Sequence, residues 1–551
     1  VDITELLIKQ SLVTPEQVSK AKDEAKRTGI KIEKALEKLG FITEEEIAKT
    51  KADAMGVPYM DLADYIIDSQ LTKLISEEVA RKYKVVPLFK IKDTLTVAMA
   101  DPRDVEAIDH IRRVSGVDIV DAVLVSLKSI EYVLSSYYGE GSSVEEIIQS
   151  IENKKIFGEK ESLVEAAEEP PIIKLVNILI TEAARDRASD IHIEPELDLI
   201  RIRFRIDGIL HEVHELPKKL QSAITSRIKI LSEMDIAESR KPQDGKIRIK
   251  LENRDLDVRV STFPTVHGEN VVMRLLDRAS ILLSLKDLGF SKENLTIFSK
   301  AILAPNGIIL VTGPTGSGKT TTLYAALSSI TSMEKNIITI EDPVEYELPL
   351  IRQTQVNPKA GVTFANGLRS ILRQDPDVIM VGEIRDKETA EVALQASLTG
   401  HLVFSTLHTN DAATSLTRLI DMGLEPFLIS TSVIAILAQR LVRSVCLKCK
   451  EEYAPSEAVL RELEIEEKVK FYRGRGCSTC KNTGFMGRIG IFELLVVNDA
   501  IKKMVEEKYS ADQIKKKAME LGMKTLHDDG LDKVRLGLTT VEEILRVTKI
   551  D

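Results

Sequence analysis

The sequence predicts a multidomain α/β protein whose C-terminal half is built on a parallel sheet. Three observations carry that reading. At 551 residues the chain is too long for one core, and length alone implies about three to five domains. Between residues 291 and 440, apolar runs at 308–311, 337–340, 378–381 and 402–405 alternate with helical segments, the pattern of a parallel sheet covered on both faces. Residues 313–320 read GPTGSGKT directly after the first of those runs, and a strand entering a Gly-x4-Gly-Lys-Thr loop is the sequence form of a P-loop.

Taken in order, residues 1–62 contain an internal duplication at an offset of 29: residues 12–18 (LVTPEQV) answer to 41–47 (FITEEEI). Each copy has a capping box, Thr14 with Gln17 and Thr43 with Glu46, so each reads as helix, turn and helix. Residues 63–138 read as a second small α/β unit, with strand character at 85–89 and 95–99 and helical periodicity at 105–114. Residues 139–171 read as a flexible linker. Gly139, Gly141, Ser142 and Ser143 open it, Glu165, Glu168, Glu169 and Pro170-Pro171 close it, and one short helix lies around 144–151. Residues 172–285 begin with an amphipathic helix at 172–184 and continue as strands around 191–193, 200–206, 247–251 and 256–262. Residues 286–551 hold the P-loop, a cysteine-bearing region at 441–490 and a mostly helical tail.

The P-loop residues are those that phosphate binding requires. Gly313, Gly316 and Gly318 let backbone N–H groups converge on phosphate oxygens, and Pro314, Thr315, Ser317 and Thr321 complete the loop and its exit. Lys319 places an ammonium on the β- and γ-phosphates, and the Thr320 hydroxyl suits Mg²⁺. Residues 339–346 read TIEDPVEY, and Glu341, Asp342 and Glu345 can approach the γ-phosphate beyond a strand end; a plain acidic surface turn is the alternative. Residues 377–383 read DVIMVGE, a strand tipped by Glu383. Gly382 stands where P-loop enzymes usually carry an aspartate, so Glu383 is expected to hold Mg²⁺ through a water. His408, at a strand end beside Thr406 and Thr409, reads either as a sensor of phosphate state or as a satisfied core histidine.

Composition narrows the function. Hydrophobic content of 43% and charged content of 29% are ordinary for a globular protein. A net charge of −10 argues against a general nucleic-acid binder. No secretory signal pattern opens the sequence, and the longest apolar run, 427–438, is shorter than the ~20 residues of a spanning helix. A cytoplasmic protein is expected, with any membrane role exercised through a partner. The four cysteines form two C-x2-C pairs, Cys446/Cys449 and Cys477/Cys480, a set suited to tetrahedral Zn²⁺. The 27 residues between the pairs exceed the roughly 15–20 of the usual spacing, and redox chemistry or unpaired thiols are the rival readings.

The motifs GPTGSGKT, TIEDPVEY, LRSILRQDPDVIMVGEIRD and TGHLVFSTLHT together resemble the secretion-superfamily ATPases that drive type IV pilus assembly and type II secretion. SDIHIEP, RFRIDG, KPQDGKIR, DVRVSTFPTVHGENVVMRLLD and GMKTLHDDG extend the resemblance from residue 172 onward. It implies a RecA-like P-loop domain preceded by a PAS-like domain at 172–285, in a hexameric ring that hydrolyses ATP with Mg²⁺. It implies roles too: Glu345 as general base, Glu383 as the Walker B carboxylate and His408 as the His-box residue. Arg259 and Arg274 match arginines that reach phosphates from the 172–285 domain, and Arg369 and Arg373 match a pair that faces that domain. The cysteine pairs resemble the zinc insertion of assembly and secretion ATPases. The N-terminal duplication resembles a cyclic di-GMP-binding module, but Ala25 and Ala54 stand at its Gln positions and the first half has no matching arginine. A partner-docking role is therefore expected there rather than cyclic di-GMP binding, and residues 71–138 resemble the domain that engages an inner-membrane platform protein. The preferred reading is a pilus-extension ATPase, peripheral at the inner membrane. A type II secretion ATPase, a nucleotide-gated scaffold without efficient turnover and a helicase are the alternatives.

Overall fold

Thr14 and Thr43 each accept a hydrogen bond from the amide three residues on, while Gln17 and Glu46 reach back to the cap amides. These reciprocal pairs start the helices Pro15–Thr28 and Glu44–Met55, which end at the left-handed Gly29 and Gly56. With Ile3–Lys9 and Ile32–Lys38 they enclose a small core of Leu7, Val18, Ala21, Leu36 and Ile47. The structure, a computed structural model, describes residues 3–62, 65–67, 71–137, 144–153, 163–251, 254–277, 283–455 and 470–548. It divides into two units, Val1–Ala279 and Ser280–Asp551.

In the first unit the helical duplication precedes a three-stranded sheet of Val85–Ile91, Thr94–Met99 and Ile119–Leu124. Helix Val105–Ser115 makes its parallel crossover. A seven-stranded sheet follows in the order Tyr65–Ile66, Gln243–Leu251, Arg254–Thr265, Gly268–Asp277, Ala188–Pro195, Leu199–Ile206, Ile209–Pro217. It is antiparallel throughout except at the two-residue edge strand, which pairs parallel with Lys250–Leu251. Within the linker expected at 139–171, the short helix expected around 144–151 is present as Val144–Asn153, and further helix is found beside it. Residues 138–143 and 154–162 lie outside the described residues, and the remainder is helical, at Val144–Asn153, Leu163–Glu168 and the start of Pro170–Arg185. Val144, Ile147 and Ile151 recur at helical spacing and are at most 2% exposed, packed in one apolar cluster with Ile172, Leu175 and Val86. Burial of that stripe, not the polar residues around it, decides the structure there.

The second unit is built on a seven-stranded sheet in the order Ile351–Gln355, Ile337–Glu341, Val378–Val381, Leu402–Leu407, Gly307–Thr312, Val433–Val445, Phe485–Val496. Every neighbouring pair is parallel except the last. The strand before the P-loop is buried over its whole length, with Ile308 and Leu310 in the core on one face and Ile309 and Val311 in the core on the other. That two-sided burial is why the strands read as continuous apolar runs. The apolar run at 427–438 resolves into helix Pro426–Ser432 and the first half of strand Val433–Val445. Among the described residues no helix is long and apolar enough to cross a membrane. Helices Asp499–Glu506, Ala511–Glu520, Leu526–Arg535 and Val541–Thr548 form the tail.

Candidate functional site

The P-loop joins strand Gly307–Thr312 to helix Lys319–Ile330. Gly313 has φ of 147° and Gly318 has φ of 88°, and a Cβ at either would lie 2.4 Å from the Gln439 carbonyl or 2.8 Å from its amide nitrogen. The loop is thus pressed onto strand Val433–Val445, and only glycine fits. Gln439 also accepts a hydrogen bond from Thr322 Oγ1 at 2.7 Å, bracing the first turn of the P-loop helix. Lys319 Nζ donates to the carbonyls of Gly313 at 2.8 Å and Pro314 at 3.1 Å. Burial holds its ammonium below the ordinary lysine value; Glu383 opposes that shift and Arg440 adds to it. The buried Ser317 Oγ has no hydrogen-bond partner among the described residues. A glycine cradle, an ammonium bonded to carbonyls of its own loop and a hydroxyl with no partner among the described residues together fit a bound phosphate. Thr320 and Thr321 lie half-buried in the first turn of the helix, and Pro314, Thr315 and Gly316 are exposed at the loop tip.

Glu383 stands two residues beyond strand Val378–Val381. Its carboxylate pairs with Arg385 through one oxygen and lies 3.3 Å from His408 Nε2 through the other. Burial raises the Glu383 carboxyl, but Arg385 and His408 outweigh it and hold the group below the usual glutamate range. His408, at the end of strand Leu402–Leu407, is half-exposed rather than a core histidine. The strands are tied together behind it: Thr409 N donates to Thr312 Oγ1 at 2.9 Å, and Thr406 Oγ1 donates to the Gly382 carbonyl at 2.8 Å. Lys319, Glu383 and His408 are thereby brought together.

The acidic cluster at 341–345 does not act as a unit. Glu341 is 3% exposed and bonded to Tyr324, Thr339 and Gln353, so it is a structural carboxylate rather than a group that approaches phosphate. Glu345 follows on the same turn, its amide 3.4 Å from the Tyr324 hydroxyl, and Asp342 lies 3.7 Å from Arg385. Arg385 and Gln439 went unremarked in the sequence. Arg385 was legible within GEIRD, whereas nothing local marks Gln439.

Arg369 pairs with Glu388 at 2.8 Å, and Arg373 folds back onto the Arg369 carbonyl. Arg259 and Arg274 lie in the other unit as direct cross-strand partners. Arg274 Nε donates to Asp190 Oδ1 at 2.9 Å, with Asp190 nearly buried and the arginine 56% exposed.

The four cysteines converge. The Sγ atoms of Cys446 and Cys477 are 3.9 Å apart, those of Cys449 and Cys480 3.8 Å, and those of Cys477 and Cys480 3.7 Å. Four sulfurs at ~2.3 Å from one ion at tetrahedral angles stand about 3.8 Å apart, so the set fits Zn²⁺. All four ligand atoms lie within 4.8 Å of one another. The long gap is closed by the hairpin of Lys450–Tyr453 and Phe471–Gly474, which brings the second pair back to the first.

The family profile described as type II/IV secretion system protein matches residues 165–546, and the MshEN domain profile matches residues 55–144. The second match covers the three-stranded unit and shares only residues 55–62 with the duplicated segment 1–62, whose sequence resembles a cyclic di-GMP-binding module. The chain is similar to the type IV pilus assembly ATPase PilB of Myxococcus xanthus, 44% identical and covering 99% of both chains. It is equally similar in extent to the type II secretion system protein E of Xanthomonas campestris, 42% identical over 99% of this chain and 98% of that one. Among solved structures, the Yersinia pseudotuberculosis ATPase DotB shares the fold, with a TM-score of 0.52 at 21% identity, covering 68% of this chain and 93% of that one.

Proposed function

The chain belongs to the type II/IV secretion system protein family, and from that premise we propose that it is an ATP-hydrolysing motor, Mg²⁺-dependent and hexameric, that drives pilus extension. The observation that carries the proposal is the convergence of Lys319, Glu383 and His408 at the end of a P-loop sheet. Bound Mg²⁺ would neutralise charge on the β- and γ-phosphates, with Thr320 and, through a water, Glu383 as its holders. Lys319 and the loop amides position the phosphates. Glu345 orients the attacking water and takes its proton. His408, bonded to Glu383, responds to the occupancy of the γ-position. Arg259 and Arg274 from a neighbouring subunit, opposed by Arg369 and Arg373, supply positive charge on closure. Zn²⁺ on the four cysteines is structural, because four protein ligands leave no open position.

The pilus-assembly and type II secretion relatives both match along 99% of this chain, so the duplicated helical module does not separate the two uses, and both imply an inner-membrane platform protein as partner, with the protein cytoplasmic. The intact Lys319, Glu345 and Glu383 argue against a scaffold without turnover. The position of the MshEN match removes Ala25 and Ala54 as grounds for setting cyclic di-GMP aside in residues 55–144, and direct titration with the dinucleotide decides that point. The motor reading is tested by Mg²⁺-dependent ATP turnover of the purified chain and its loss in Lys319→Ala. Undiminished turnover in that variant would overturn it. Restoration of pilus extension, or of secretion, in a host lacking its own ATPase distinguishes the two uses.

A further inference from the structure

We infer that Lys515, in the helical tail, is a positioning residue for hydrolysis that fixes the His408 loop through Asp411. The inference rests on the motor reading above. Residues 408–411 connect strand Leu402–Leu407 to helix Ala412–Asp421 and are pinned along their length. Thr409 is held by Thr312 and by Ser415, the latter at 2.6 Å, and Asn410 accepts from Arg440 at 3.0 Å. Asp411 splits its oxygens. Oδ1 caps the helix by accepting from the Thr414 amide at 2.8 Å, and Oδ2 accepts from Lys515 Nζ at 3.1 Å.

Lys515 also faces Glu493, 3.8 Å away and only 1% exposed, whose other oxygen accepts from the Ala412 amide at 2.9 Å. One ammonium therefore serves two carboxylates at the start of one helix. Burial pushes the Glu493 carboxyl above its usual range, while the cap and Lys515 hold Asp411 low against its own burial. Remove the ammonium, and two carboxylates face each other in a low-dielectric site where both cannot stay charged. Asp411 must then turn out or take a proton. Either change frees the loop end three residues from His408, whose Nε2 sits 3.3 Å from Glu383. The hydrogen bonds of Lys319 run to Gly313 and Pro314, not to Lys515, Asp411 or Glu493, so nucleotide binding is spared.

The test is steady-state ATP hydrolysis by the full chain with nucleotide affinity measured in parallel. Lys515→Met should lower kcat between about tenfold and a hundredfold, the scale of a displacement near 1 Å at a catalytic group. KM and nucleotide affinity should stay within about twofold of wild type, the mark of an interaction made only in the chemical step. Lys515→Arg, which keeps a cation, should restore kcat. Asp411→Asn keeps the helix cap but removes the ion pair, and it should show the same loss without risk to the tail fold. Wild-type kcat in Asp411→Asn, or a Lys515→Met defect that Lys515→Arg does not relieve, overturns the inference while leaving the motor reading intact. Turnover that survives Lys319→Ala sinks the motor reading, and the inference with it.

Discussion

Glu543→Gln should loosen the last helix by about 3 kcal/mol at neutral pH. The side chain of Glu543 is 2% exposed. It accepts from the Arg443 amide at 3.0 Å and Nη2 at 2.7 Å, and from Arg546 Nε at 3.0 Å and Nη2 at 2.8 Å. Burial alone would raise its carboxyl, but the two arginines hold it at about 2 against 4.5 for a free glutamate. That gap, at 1.36 kcal/mol for each power of ten, favours the folded state by about 3 kcal/mol. Breaking one partner of a buried pair costs a similar ~3–5 kcal/mol. The folded-state value is the lower one, so the stabilisation is full above pH 4.5 and drains away as pH falls through about 2. Hydrogen exchange of helix Val541–Thr548, compared between wild type and variant at the same pH, reads the local free energy directly. Protection should fall about a hundredfold or more at pH 7, and by the same factor at pH 5.5. A fall under about fivefold at pH 7, or a gap that widens toward lower pH, would refute the assignment.

Three further outcomes follow from the same geometry. The purified chain should carry about one Zn²⁺, and Cys480→Ser should shed it; metal analysis that finds none, with four reactive thiols in the folded protein, would remove the structural-zinc reading. If Glu345 has the proposed water-orienting role, Glu345→Gln should bind MgATP but lose turnover, and retained turnover would move the base to Glu383 or elsewhere. If the proposed ring forms and Arg274 reaches a neighbour's nucleotide, Arg274→Ala chains mixed with wild type should depress activity more steeply than their fraction, and activity should fall on dilution; strictly proportional, dilution-independent loss would confine Arg274 to its pairing with Asp190.

What the sequence made legible is what local backbone demands. The P-loop glycines are required by conformations and close approaches that can be named residue by residue, and the capping boxes at Thr14 and Thr43 are local pairs three residues apart. The strands at 307–312, 378–381 and 402–407 announce themselves because both faces are buried. The misses are tertiary. A short apolar run such as 427–438 fits a helix or a buried strand equally by periodicity, and here it is one followed by the other. The edge strand Tyr65–Ile66 is two residues long and exists only because Lys250–Leu251 offers it a ladder. Glu341 and Glu345 looked alike in TIEDPVEY; only the position of Tyr324 separates a structural carboxylate from a candidate base. Lys515 lies 104 residues from Asp411, beyond any local signal.

Strand Val433–Val445 shows how tertiary contacts without a local signal concentrate around the candidate site. It carries Gln439, which forms the floor of the P-loop, and Arg443, which clamps the final helix through Glu543, and it ends next to Cys446, the first thiol of the tetracysteine site. Its partner Phe485–Val496 leaves the second cysteine pair and carries Glu493 to the start of helix Ala412–Asp421, beside the His408 loop. The P-loop, the tetracysteine cluster and the tail are therefore joined through two adjacent strands. If the proposed motor reading holds, packing at that junction would let a change at the γ-phosphate position be felt by the tail as displacement.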